Sequence, residues 1–223
     1  MRFNGITSSE VLKHTHICFN TPEEAVNVES CLEKIASKKN GQLLISKINR
    51  HINADTSIYI HVVHDEPTQM KPFLNEQLRK AYGIKGTYDS KSYKMLLDMR
   101  SRAPIPGGRG DGVSSQIEFN PNESRLVDED GIGTRVELPD HAFLSLAHEL
   151  VHAYHYLHGT HLKDDTEDPY ANKEEERAVG IIDFKDMLMT ENGVRRDHRI
   201  RERSTIYDQN EMSTLAKKYL PRV

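Results

Sequence analysis

The chain has 223 residues, 36% of them hydrophobic and 29% charged, with a formal net charge of −4. That length can bury a core, the composition is not that of a disordered chain, and the acidic balance excludes a general nucleic-acid binder. No apolar run is long enough to span a bilayer, and two cysteines, Cys18 and Cys31, do not make a disulfide framework.

The first 20 residues carry no clear periodicity and lack the apolar segment of a secretory signal. They are expected to be a flexible N-terminus, a candidate secretion signal, ahead of one domain spanning 21–223. Thr21-Pro22-Glu23-Glu24 reads as a helix start, with Thr as N-cap, Pro in the first turn and Glu24 closing a capping box. Ala25, Val28, Cys31, Leu32 and Ile35 follow at helical spacing, which makes Cys31 a core residue. A second apolar segment runs from Gly41 to Ile52. Ile58, Ile60 and Val62 alternate as in a strand, leaving His61 and His64 to solvent or a loop.

Residues 101–113 are rich in Pro and Gly and mark a loop. The triplet Arg109-Gly110-Asp111 inside it is too short to carry an adhesion reading. Ile117 and Phe119 then stand two apart in a short strand that ends at Asn120-Pro121, and a proline there suits a sheet edge. A helix begins after Pro139, with Asp140 as its N-cap, and stops at Gly159.

That helix carries the chemistry. His148 and His152 are four apart, so both rings leave one face. Two imidazoles so spaced can hold one zinc ion at about 2.0–2.1 Å. Glu149 sits about 100° round the helix from His148, outside the ligand set but close to it. The pattern H-E-x-x-H therefore supplies two metal ligands and a general base for attack of water on a peptide carbonyl. Leu144, Ala147, Leu150, Val151 and Leu157 give the same helix a buried face, and polar groups on a helix so packed need partners.

A catalytic zinc takes a third protein ligand. His158 is six residues past His152, but His155 fills the slot where a glycine would have to turn the chain, so His158 points away. His155 shares the face of His148 but lies too far along the axis to bind, and is expected behind the ligands. Asp164 or Asp165 could bind from a highly charged loop. Glu174, Glu175 and Glu176 open an apolar helical stretch (Ala178, Val179, Ile181, Ile182, Phe184), and one of them could cross to the metal. The same run also suits the positive end of a helix dipole.

"HELVHAYHYLHG" followed by "EEERAVG" resembles the NleD-like type III secretion effectors, the zinc metalloproteases of peptidase family M91, and has motif similarity to the clostridial neurotoxin light chains. The likeness extends to "IEFNPNES" and "TENGVRR", roughly residues 105–207. It implies an α+β, zincin-like fold with an active-site helix, a second ligand-bearing helix and a small sheet with an edge strand. Carried over by position, it makes His148, His152 and Glu174 the ligands of one Zn2+, Glu149 the base, and Glu175 a neighbour behind the ligands. Tyr207, with Arg203 or Arg201, would stand beside the scissile carbonyl and donate to the oxyanion.

The resemblance further implies a zinc endopeptidase injected into host cells by type III secretion. It would act as a monomer in the host cytoplasm on host signalling proteins, MAP kinases such as JNK among them. No nucleic acid or membrane partner is expected. The substrate backbone would pair with the strand at Ile117 and Phe119. Two other readings stand beside this one: a non-catalytic effector or toxin component that keeps the fold and binds a host partner, and a metallopeptidase of another family with an aspartate ligand. Glu149 counts against the first, since a scaffold has no need of a base beside its ligands.

Overall fold

The computed structural model describes residues 3–102, 108–162 and 172–208. Residues 3–20 supply two strands, β1 (Gly5–Ser8) and β2 (Thr15–Phe19), paired antiparallel. The flexible leader expected there is thus corrected over this stretch. Ile17 and Cys18 are buried, and a strand that places such residues in the core has a reason to stay ordered.

Helix α1 (Pro22–Ala36) starts as the sequence indicates. The Glu24 carboxylate reaches back and accepts from the backbone N–H of Asn20 at 2.7 Å. Its stripe of Ala25, Val28, Leu32 and Ile35 is buried, and Cys31 packs half-buried beside them. Helix α2 (Lys39–His51) returns against α1. Gly41 lets them meet, because a Cβ there would stand 1.9 Å from the carbonyl oxygen of Ile35.

The main sheet has the order β1-β2-β3-β5-β4. Strand β3 (Ile58–Val62) runs parallel to β2 and to β5 (Ser114–Phe119), and β4 (Gln69–Phe73) closes the sheet antiparallel to β5. The expected edge at Ile117 and Phe119 is therefore wrong. β5 lies between β3 and β4, and both side chains are fully buried, so neither offers a surface to a substrate. The edge on this side belongs to β4, as β1 forms the other; Pro72 sits within β4, a position tolerated at an edge because proline has no N–H to give. Ile58, Ile60, Val62, Ile117 and Phe119 share one core with α1, α2 and the long helix α5 (Ala142–His158).

In chain order, a hairpin of β6 (Glu123–Val127) and β7 (Gly133–Glu137) follows β5 and precedes α5. Helix α5 begins at Ala142, one residue later than a cap at Asp140 would place it. Pro139–His141 form a single 3-10 turn, so Asp140 does not cap it. Its end is as expected: Gly159 takes φ +66°, and a Cβ there would meet the carbonyl oxygen of Gly110 at 2.2 Å. Arg109-Gly110-Asp111 is built into this close approach, with Gly110 N–H donating to the Gly159 carbonyl at 2.7 Å. Four shorter helices complete the frame around α5: α3 (Glu76–Ala81) and α4 (Lys91–Ser101) precede it, α6 (Lys173–Val179) and α7 (Glu191–Asp197) follow it. Among the described residues no helix is long and apolar enough to cross a membrane.

Candidate metal centre

The buried face of α5 includes Leu144, Ala147, Leu150, Val151 and Leu157, which turns His148, Glu149 and His152 toward α6 and α7. The two Nε2 atoms of His148 and His152 lie 3.1 Å apart. The Glu175 carboxylate closes the triangle, with Oε1 3.1 Å from His152 Nε2 and Oε2 3.3 Å from His148 Nε2. Among the described residues these three side chains form a cluster able to hold a metal ion.

The position expected for Glu174 is thus taken by Glu175. Neighbouring residues of a helix diverge by about 100°. With Asn172 accepting from the Glu175 N–H at 3.0 Å as cap, Glu175 faces the histidines and Glu174 turns underneath them. There Oε1 of Glu174 meets His155 Nδ1 at 2.6 Å and lies 3.5 Å from His152 Nδ1. Its other oxygen accepts from the Leu162 N–H at 3.0 Å and from Arg177. His155 is buried, with Nδ1 on Glu174. His158 points elsewhere, stacking on Tyr154 and meeting the His51 ring at 4.2 Å between centroids. Asp164 and Asp165 lie outside the described residues.

Each imidazole is held from behind by a carboxylate. His148 Nδ1 meets Glu191 Oε2 at 3.0 Å, as Glu174 stands behind His152. Glu191 is 2% exposed and is itself pinned by two buried guanidiniums: Arg195 Nε donates to Oε1 at 2.7 Å and Arg203 Nη1 to Oε2 at 3.0 Å. Burial opposes charge on Glu191, but Arg203 and Arg195, then His148, outweigh it and hold the carboxyl well below its usual range. Sequence reasoning missed Glu191, Arg195 and Arg177. A glutamate in the first turn of a short helix is an ordinary residue, and nothing local marks it as a partner of His148, 43 residues earlier.

Arg203 therefore has a different place from the one expected. Its guanidinium is 4% exposed and is spent on Glu191 and on the Ile206 carbonyl, at 2.8 Å. Arg201 gives its carbonyl to Arg195 Nη1 at 3.2 Å. Tyr207 donates its backbone N–H to Thr205 at 3.1 Å. Neither Arg203 nor Tyr207 lines the cleft at Glu149.

Protons in this cluster follow from its charges. Burial would lower both imidazoles, yet Glu175 and Glu191 raise His148, and Glu175 with Glu174 raises His152 well above its ordinary value. Burial likewise opposes charge on Glu175, but His152 and His148 hold it well below the carboxylate range. Glu149 is raised, chiefly by burial, and a raised carboxyl is the better proton acceptor.

The cleft in front of these groups holds about 430 Å³ and is walled by Gln69, Met70 and Pro72 of β4, by Glu149, His152 and Tyr156 of α5, and by Glu174 and Glu175. A sheet edge thus runs beside a ligand triangle and a carboxyl base.

An α+β frame with two corners of this triangle on α5 and the third on α6 defines the class as a metallopeptidase-like protein. The chain belongs to peptidase family M91, whose sequence model, described as "Effector protein", matches residues 23–212. It is an effector of a peptidase family. Two solved structures are similar to it. The botulinum neurotoxin serotype HA light chain is 13% identical with a TM-score of 0.42, over 90% of this chain and 56% of that one. The catalytic domain of Clostridium botulinum neurotoxin serotype F is 13% identical with a TM-score of 0.48, over 98% of this chain and 75% of that one. The chain thus spans little more than half the serotype HA light chain. A search of the curated proteins found no match.

Proposed function

We propose that the protein is a zinc endopeptidase in which His148, His152 and Glu175 hold the ion and Glu149 is the general base. The observation that carries this is the triangle itself. A tetrahedral zinc with ligands at about 2.0–2.1 Å has ligand–ligand edges of roughly 3.3–3.4 Å, and the three donors stand 3.1–3.3 Å apart. Both Nδ1 atoms face carboxylates, which leaves both Nε2 lone pairs for a metal. When bound, zinc supplies Lewis-acid polarisation of a carbonyl and a more acidic water.

The chain's own residues divide the remaining work. Glu174 and Glu191 orient the two rings. Glu149, in the wall of the cleft, accepts a proton at its carboxylate and can return it to the leaving amine. The free edge of β4 offers backbone groups to an extended peptide, in place of the strand at Ile117. Arg203 acts on His148 through Glu191 and not on the oxyanion.

Membership of an effector family supports delivery into a host cell, with a host protein as substrate. The resemblance to NleD-like effectors adds type III secretion, action in the host cytoplasm and MAP kinases as the substrates to try first. The test is incubation of the zinc-loaded protein with host-cell lysate, with and without chelator, followed by mapping of new N-termini. Termini that form only without chelator support the reading, and identical maps overturn it.

A further inference from the structure

A second, smaller cavity of about 40 Å³ lies against the same base. Its walls include Glu149, His148, Ser145, Glu123 and Arg125. Among the described residues Glu149 is the one side chain it shares with the main cleft. A peptide whose carbonyl lies at Glu149 would therefore place a neighbouring side chain at this cavity.

Among the described residues two charge-bearing groups around it lack a hydrogen-bonded or ion-paired partner, the base Glu149 and Arg125. Arg195 and Arg203 are bound to Glu191, and Arg135 holds Glu123 at 3.2 Å. Arg125 is half-buried, and its guanidinium makes no hydrogen bond or ion pair among the described residues. Only its backbone carbonyl is engaged, by Arg195 Nη2 at 3.1 Å. A guanidinium drawn out of water without a partner is costly, and Arg is suited to binding a carboxylate by two parallel N–H donors. Burial, and next the nearby Arg203, disfavour its charge, and Glu191 and Glu123 favour it from a distance without bonding to it; an anion bonded to the guanidinium would offset the burial directly. The volume admits a carboxylate on a short stem and excludes an aromatic ring.

We propose that this cavity receives the substrate side chain flanking the scissile bond, and that Arg125 selects a short acidic one, aspartate above all. The inference rests on the peptidase reading above. The chemistry itself places no demand on Arg125, which is a specificity residue.

The test is to digest a defined peptide mixture with the zinc-loaded protein and to map the residues on both sides of every cut. Wild type is expected to enrich aspartate roughly 10- to 100-fold at one flanking position, the range for a charged hydrogen-bonded pair. Arg125→Lys should keep a weaker acidic preference, and Arg125→Glu should turn it toward lysine or arginine. A variant that merely disturbed the structure would not invert the preference. Zinc content and thermal unfolding of each variant check its folding, and Arg125→Gln replaces Arg125→Glu should the latter not fold; a profile unchanged in a folded variant overturns the proposal. Cuts without any acidic preference in wild type overturn this inference and leave the peptidase reading standing. No cuts at all overturn both.

Discussion

Oε2 of Glu191 lies 3.0 Å from Nδ1 of His148, joining the first residue of α7 to the first histidine of the metal triangle. Through Arg195 and Arg203 that carboxylate also ties the ring to the end of the described chain. Loss of Glu191 should therefore be felt twice. Glu191→Ala leaves two buried guanidiniums without their anion and should lower the unfolding free energy by about 3–5 kcal/mol. Glu191→Gln keeps the shape and should weaken zinc binding by roughly 10- to 100-fold. Urea unfolding of the first and competitive chelator titration of the second are the measurements, and wild-type values in both would show that Glu191 is a bystander.

Glu174 and Glu175 are adjacent but face different neighbours. Glu175→Ala removes a ligand and should abolish stoichiometric zinc. Glu174→Ala removes no ligand but takes away the support of His152 and His155 and the anion paired with Arg177, so zinc should remain with affinity reduced roughly 10- to 100-fold. If the alanine at 174 loses the metal and the one at 175 keeps it, the register read from the structure is off by one residue.

Glu149→Gln should retain zinc at the wild-type level while kcat falls by about 10²- to 10⁴-fold, the usual contribution of a general base. Substantial proteolysis by a metal-loaded Glu149→Gln protein would assign the proton transfer to another group.

Protons and zinc compete for the same atoms. Both imidazoles of the triangle are raised above their ordinary value, so the metal-free site keeps its protons to higher pH than free histidine does. Groups raised in this way stabilise the metal-free fold below about pH 6.5, and that contribution is lost as pH rises through their folded-state values. Zinc must displace those protons, so its affinity should rise with pH above neutrality. Calorimetry in buffers of differing ionisation enthalpy should record proton release on binding. Proton uptake would contradict the arrangement.

Local signals carried the parts of this molecule that depend on near neighbours. The start of α1 was legible because Pro22 and Glu24 act within one turn, and the end of α5 because glycine takes the φ of +66° at Gly159 without strain. The pair His148 and His152 needed only helix geometry. The order of the strands was not legible, since Pro121 and Pro72 look alike as edge signals and only pairing decides that β4, not β5, is outermost. Glu191 and the role of Arg203 escaped for the same reason, being set by contacts across 43 and 12 residues of chain. The choice between Glu174 and Glu175 turned on where α6 begins, and helix boundaries are the feature that sequence resolves least well.

The most direct measurement is elemental analysis of the purified protein after exposure to a zinc salt and removal of excess. The account predicts one zinc per chain in wild type and none in the double variant His148→Ala, Glu175→Ala, with both proteins folded. A wild-type chain that takes up no zinc, or a double variant that takes up as much, would contradict it.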